Sequence, residues 1–342
     1  GETVVLTEPV LARPGRGLES LADLTRALGN GEVETLLILG GNPAYAAPAD
    51  LRFADLLLKK AREAGTLFVH LGTYFDETSE CCHWHIPEAH YLESWSDARA
   101  VDGTASVVQP LIAPLYAGRS AHELLSAVVG ERDRSAYELV RETWRKHWQQ
   151  TGSSGDLEKY WRRLLHGGVV PGTASPAVAV APRADWAKDL PQAPAVAKGK
   201  ELVLSPDPVL FDGRFANNGW LQELPKPLTK LTWDNAALIS PRTARELGVG
   251  TRTLQSGGGE HGGAYADVVK LQLGKAELEV PVWIAPGHAD DAVTLHLGYG
   301  RSRSGRVGGS RENPVGVNAN LLRTTAAPSV ATGLSVTPVK KQ

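Results

Sequence analysis

The sequence predicts an α/β domain built on a parallel sheet, followed by a β-rich domain that closes into a barrel. Three observations carry this prediction. In the first part of the chain, short apolar runs (Leu36-Leu37-Ile38-Leu39 and Thr66–His70) alternate with stretches of helical periodicity, the rhythm of strand, crossover helix and parallel strand. Residues 167–200 are rich in proline, alanine and glycine with little periodicity, which reads as a linker. From Glu201 onward the pattern turns to short alternating strands separated by glycine turns, the signature of a closed barrel. The implied organisation is an α/β domain over 1–130, a helical insertion and linker over 131–200, and a barrel over 201–342.

Taken in order, Leu18 to Leu28 places apolar residues at helical spacing, and Gly29-Asn30-Gly31 supplies residues that tolerate a left-handed cap. Leu36–Leu39 is a continuous apolar run and reads as a strand buried on both faces. It ends in Gly40-Gly41-Asn42-Pro43. The glycines permit a sharp turn and close approach of a ligand, Asn42 can hydrogen-bond locally or to a ligand, and Pro43 fixes the exit direction. Ligands of open α/β sheets sit at such strand ends. Phe53 to Ala64 predicts an amphipathic helix stopped at Gly65, and Thr66–His70 the next buried strand, which leads to Asp76-Glu77-Thr78-Ser79. Ser120 to His166 is mostly helical, with Trp144, Trp148 and Trp161 at spacings that can share a face.

The second half offers Leu202–Leu204, Ala237–Ile239, Val268–Leu273, Leu278–Ile284 and Ala292–Leu295 as strands. Between them Ser240 to Leu247 predicts a short helix, with Ser240 as N-cap and Pro241 at the first helical position. Gly257–Gly263 reads as a flexible hairpin tip. It is no phosphate loop, because no lysine-serine or lysine-threonine pair follows it.

At 342 residues and 42% hydrophobic content the chain has room for two cores. A net charge of -2 gives no steering toward nucleic acid or an anionic membrane. No apolar run reaches the roughly eighteen residues a spanning helix needs. The chain begins Gly-Glu-Thr and lacks methionine, which predicts a piece of a longer protein or a processed chain. Its two cysteines, Cys81 and Cys82, are adjacent, a placement that disfavours a bond between them. Two sulfurs are too few for an iron-sulfur cluster, so any clusters of the parent protein are expected outside this sequence.

Cys81, Cys82, His83, His85 and His90 form the densest set of candidate metal ligands, with His83 and His85 pointing the same way if they lie on a strand. Structural zinc needs four ligands at standard spacing, so no metal site is assigned; the cysteines read as small hydrophobes and the histidines as partners of nearby backbone. Glu77, Glu80, Glu88 and Glu93 have no nucleophile at a diagnostic spacing. No catalytic residue is assigned, and these carboxylates are expected to cap loops or sit in water. The Gly40–Pro43 turn lacks the glycine fingerprint of nicotinamide-binding proteins. Arg301, Arg303, Arg306 and Arg311, spaced by serines and glycines, read either as a solvated loop or as a contact for phosphate or an acidic partner; a subunit contact is slightly favoured.

Several motifs in order, Gly40-Gly41-Asn42-Pro43-Ala44-Tyr45, Phe75-Asp76-Glu77-Thr78, His83-Trp84-His85-Ile86-Pro87, Tyr91–Trp95, Asp102-Gly103-Thr104, Val108–Ile112 and Trp233–Ala237, resemble the molybdopterin oxidoreductase family. Within it they are most similar to the periplasmic molybdopterin-like iron-sulfur subunit of alternative complex III, a quinol:cytochrome c oxidoreductase. The resemblance implies that the α/β parallel-sheet domain is followed by a double-psi-like barrel, and that the two together face a molybdopterin guanine dinucleotide. The cofactor-side residues it implies are Gly40, Gly41, Asn42, Pro43, Glu77 and Thr78 from the sheet loops, with Asn217, Asn218 and Asn313 from the barrel. The 211–220 segment lacks the arginine, histidine and threonine pattern of many cofactor-bearing members. The family's metal ligand normally precedes the region covered here. The implied role is therefore a scaffold with a vestigial pocket and no cofactor of its own, in a periplasmic subunit attached to the inner membrane through haem- and quinol-binding partner subunits. A helical, tryptophan-rich stretch from Arg132 to His166 and the Cys81–His85 segment favour that role. The alternatives are a catalytic part of a polysulfide-reductase-like enzyme holding half of a bis-molybdopterin guanine dinucleotide, or a stand-alone small-molecule binding module.

Overall fold

The computed structural model describes residues 3–11, 16–152, 154–190, 198–254 and 263–339. The hairpin tip expected at Gly257–Gly263 lies outside them except for Gly263, as do residues 191–197 of the expected linker. Two compact units divide the chain: Gly1–Arg16, Leu71–Thr73 and Ile86–Ala193 form one, and Gly17–His70, Tyr74–His85 and Pro194–Gln342 the other. Both are discontinuous in sequence.

Helix α1 (Leu18–Asn30) ends where Gly31 takes φ 77, the left-handed cap that a residue without Cβ accepts at no steric cost. Strand β1 (Thr35–Leu39), helices α2 (Pro43–Ala46) and α3 (Phe53–Lys60), strand β2 (Leu67–Gly72), helix α4 (Glu77–Glu80) and strand β3 (Trp84–Pro87) follow. The sheet is parallel with order β1-β2-β3. Consistent with that direction, His83 N–H donates to Phe68 O and Glu88 N–H to Gly72 O.

The expectation that Leu36–Leu39 is buried on both faces is corrected. β2 is the central strand and is buried from Phe68 to Gly72, whereas β1 is an edge strand in which only Leu36 is buried and Leu39 is 42% exposed. Leu36 and Ile38 join a core with Leu28, Phe53, Leu57 and Phe68, while their neighbours face the other way. A continuous apolar run does not distinguish a central strand from an edge strand.

In the other unit, β4 (Ser96–Arg99), β5 (Ala105–Val108) and β6 (Val169–Val170) form an antiparallel sheet. Helices α5 (Ala121–Val128), α6 (Ala136–Gln150) and α7 (Leu157–Gly167) carry the expected helical stretch. Ser120 with Glu123 and Ser135 with Glu138 make capping boxes at α5 and α6. Trp144 and Trp161 pack into one core with Val107, Val140 and Leu164, and the indole N–H of Trp144 finds Asp97 Oδ2 at 3.0 Å. Trp148 stays half-buried beside Tyr160.

The remaining strands are β7 (Lys200–Ser205), β8 (Ala237–Ile239), β9 (Thr251–Leu254), β10 (Gly263–Ala266), β11 (Val268–Leu273), β12 (Ala276–Ile284), β13 (Ala292–His296) and β14 (Val330–Pro338), with helices α8 (Gly219–Glu223) and α9 (Pro241–Leu247) among them. Six strands close a barrel in the order β11-β12-β8-β13-β7-β14, with β14 returning to β11. β12 with β8 and β13 with β7 are parallel and the other pairs antiparallel, so the barrel is mixed. Leu202, Leu271, Val280, Val293, Leu295 and Leu322 fill it. Ser240 caps α9 by accepting from Thr243 N–H, with Pro241 at the first helical position.

Candidate functional site

β1 ends in two consecutive left-handed residues, Gly40 (φ 68) and Gly41 (φ 69), and Pro43 opens α2. This turn delivers Asn42 to the start of α4 rather than to its own helix. Asn42 Nδ2 donates to Glu77 Oε2 at 2.7 Å, and its Oδ1 accepts from Thr78 Oγ1 at 2.7 Å and from Thr78 N–H at 3.2 Å. Thr78 Oγ1 in turn accepts from Ala44 N–H at 3.0 Å. Asp76, as N-cap of α4, accepts from the N–H groups of Thr78 and Ser79. The imidazole of His70, fully buried on β2, spans Ser79 Oγ at 2.8 Å and Gly41 O at 3.1 Å.

Glu77 is the centre of the arrangement and is 9% exposed. Its Oε1 accepts from Ser302 N–H at 2.8 Å, Arg303 N–H at 2.9 Å and Arg301 Nε at 3.1 Å; Oε2 accepts from Arg301 Nη2 at 2.7 Å. Arg301, 5% exposed, also donates to Gly213 O at 2.6 Å and Arg303 O at 3.0 Å, and its guanidinium lies 4.7 Å from the Tyr45 ring centre. Burial alone would raise the Glu77 pKa, but the Arg301 guanidinium, the Arg303 N–H and the Asn42 amide outweigh it and bring it down to about 2. Tyr45 closes the group: its hydroxyl donates to Tyr299 O at 2.6 Å, and burial raises its pKa. One step outward, Glu80 accepts from Arg303 at 3.2 Å and Arg311 at 3.4 Å, while the Arg303 guanidinium lies over Phe75.

These contacts correct two expectations. Arg301 is no solvated or subunit-facing residue, and Glu77 sits neither in water nor as a simple loop cap. Each is the other's buried counter-ion, because a charge taken out of water persists only when paired and fully hydrogen-bonded. Arg303 and Arg311 likewise have a partner within the chain, in Glu80.

A second polar group lies in the barrel unit. Lys226, 3% exposed, donates to Tyr299 Oη at 2.7 Å and Asp234 O at 3.0 Å, and stands 3.6 Å from Asp207 Oδ2. Burial lowers the Lys226 pKa against the opposing pull of Asp207. Asn235, from the Trp233–Ala237 motif, ties three segments: Nδ2 donates to His296 O and Val317 O, and Oδ1 accepts from Val317 N–H.

The other expected cofactor-side residues do structural work. Asn217 Oδ1 accepts from the N–H groups of Arg306 and Val307, and Asn218 N-caps α8. Asn313 pairs with Ser310 in its own turn, accepting at its carbonyl and donating from its N–H. The structure therefore gathers Asn42, Pro43, Glu77 and Thr78 with the two glycines, whereas Asn217, Asn218 and Asn313 pin loops of the barrel unit. Arg301, Lys226 and Asp207 are buried charged residues whose partners sequence reasoning did not identify. Only the Arg301–Arg311 run gave any signal.

Cys81 and Cys82 are free thiols that burial pushes up to about 11 and about 12. His83 Nδ1 accepts from Phe68 N–H, and His85 Nδ1 meets Ser79 Oγ at 3.0 Å. Among the described residues no group of three or more His, Cys, Asp or Glu is placed to hold a metal ion. No helix there is long and apolar enough to cross a membrane.

A parallel α/β sheet and a closed mixed barrel make up the fold. Among solved structures the chain is similar to acetylene hydratase from Pelobacter acetylenicus, with a TM-score of 0.59 and 14% identity over 93% of this chain. That match takes in 46% of the other chain, so this chain spans about half the length of the structure it matches. At that identity the likeness is one of fold. No protein-family model matches the chain, and no curated protein does.

The polar side chains at the end of β1 are committed within the chain. Both polar atoms of the Asn42 side chain and both carboxylate oxygens of Glu77 are committed to one another, to Thr78 and to Arg301–Arg303. A pyrophosphate could take the Arg301 guanidinium or the Ser302 and Arg303 N–H groups only by displacing the Glu77 carboxylate.

Proposed function

We propose that this chain is the molybdopterin-oxidoreductase-like portion of a subunit in a respiratory electron-transfer complex, a quinol:electron acceptor oxidoreductase of the alternative complex III type. Its role there is scaffold and docking surface, and the pocket lined by Gly40, Gly41, Asn42, Pro43, Glu77 and Thr78, with Asn217, Asn218 and Asn313 on the barrel side, is vestigial. The barrel is of the double-psi type on this reading. Quinol oxidation and electron transfer belong to partner subunits carrying haem and quinol sites and to iron-sulfur clusters held outside this sequence. The subunit is periplasmic and reaches the inner membrane through those partners.

The observation that supports the reading is the saturation of Glu77 by Arg301, Ser302, Arg303 and Asn42, which commits the guanidinium and the paired N–H groups nearest the β1 turn to a side chain of the protein itself. The test is metal and pterin analysis of the parent complex purified gently: molybdenum and tungsten by mass spectrometry, with fluorescence of oxidised pterin. Iron without molybdenum, tungsten or pterin is the expected result. Stoichiometric metal and pterin would replace the scaffold with a catalytic, polysulfide-reductase-like member.

A further inference from the structure

The donor set around Glu77 has the composition of an oxyanion site. Two successive backbone N–H groups, from Ser302 and Arg303, converge on Oε1, a guanidinium bridges both oxygens through Nε and Nη2, and a side-chain amide reaches Oε2. Ser302 Oγ lies a further 3.4 Å from Oε1. Arginine forks and paired main-chain N–H groups are the means by which proteins seize carboxylate and phosphate ligands. The site is built, not incidental. Arg301 is itself 5% exposed and held from behind by Gly213 O, Arg303 O and the face of Tyr45, so its fork is aimed before any anion arrives. Here the anion is supplied by the chain.

We infer that Arg301, the Ser302 and Arg303 N–H groups and Asn42 form an oxyanion-binding cradle that Glu77 permanently occupies as a tethered carboxylate ligand. Its ligand class is a small carboxylate, the size of acetate: Glu77→Ala keeps Cβ and removes a CH2 and a carboxylate, leaving a space with the shape and donors that acetate requires. With Glu77 in place, free anions are excluded. This deepens the vestigial-pocket reading and rests on it, since a tethered occupant removes this anion site, beside the β1 turn, from any cofactor.

The test is chemical rescue in the full chain. E77A should lose thermal stability, and acetate should restore it along a saturating curve, beyond the effect of chloride at the same ionic strength. E77Q still fills the space and should gain nothing from acetate. A folded E77A that responds to acetate no more than to chloride would overturn the inference, as would an E77Q that responds as E77A does. The wild-type chain gives a second arm that needs no variant: inorganic phosphate at millimolar concentration should leave the Ser302 and Arg303 amide resonances in place. A saturable shift of those two resonances would show the cradle open beside Glu77 and refute the tethered-ligand role. Metal and pterin content of the parent complex tests the function separately, so either result can fail alone.

Discussion

The barrel interior and the seam around Glu77 belong to the same compact unit but are held by opposite physics. Leu202, Leu271, Val280, Val293 and Leu295 bury apolar surface with no polar group to satisfy, a non-directional gain that tolerates exchange among residues of similar volume. In the seam, Glu77 and Arg301 carry opposite charges in a nearly water-free place, where each bond has a direction and the loss of one partner strands the other. The barrel makes the unit stable. The seam decides how the turn after β1 and the start of α4 are held against the Arg301 loop, which is where the fold carries its candidate site.

That contrast can be broken at either end. The largest loss is expected for Arg301→Ala, which leaves the Glu77 carboxylate buried without its counter-ion; removing one partner of such a pair costs about 3–5 kcal/mol. Denaturant unfolding measures it, and a cost under about 1 kcal/mol would place the pair with ordinary surface bridges. Leu271→Ala in the barrel should cost about 3 kcal/mol through lost transfer energy and cavity. Its signature differs from that of the seam: a cost that does not depend on pH, checked by repeating the unfolding at acid and neutral pH.

Acid itself probes the seam. The folded pKa of Glu77 lies at about 2, below its ordinary value of 4.5, so the unfolded chain takes up the proton first as pH falls. The pair's contribution is fully present above the ordinary value and is lost as pH falls toward about 2, a change on the order of 3 kcal/mol. Stability of E77Q should lack that acid-dependent component, and equal acid slopes for E77Q and wild type would move the titration to another group. The smallest effect is expected for Ser240→Ala, which removes the N-cap of α9 and should cost about 1 kcal/mol by thermal unfolding.

Five of the six barrel strands and helix α9 were legible in the sequence because their signals are local, period-two alternation and serine followed by proline at a helix start; β14, which closes the barrel, was not among the strands read from the sequence. The Gly40–Pro43 turn was legible for the same reason. What could not be read was the identity of Glu77's partner, which stands at Arg301, 224 residues further on. No spacing rule reaches that far, and a buried arginine and a solvated one are the same letter. Leu36–Leu39 shows a related limit. Its position on the edge of the sheet follows from where β3 inserts beside β2, a tertiary fact absent from the run itself.

The closure of the barrel by β14 has a consequence for how the chain acquires its structure during synthesis. β14 pairs with both β7 and β11, so neither strand is complete until Val330–Pro338 has left the ribosome. Glu77 emerges long before Arg301, and a lone carboxylate has no reason to leave water in the interval. The α/β lobe must therefore wait with its strand ends hydrated. Desolvation of Glu77 then has to await Arg301, 224 residues further on, and carries the entropic cost of that long-range closure.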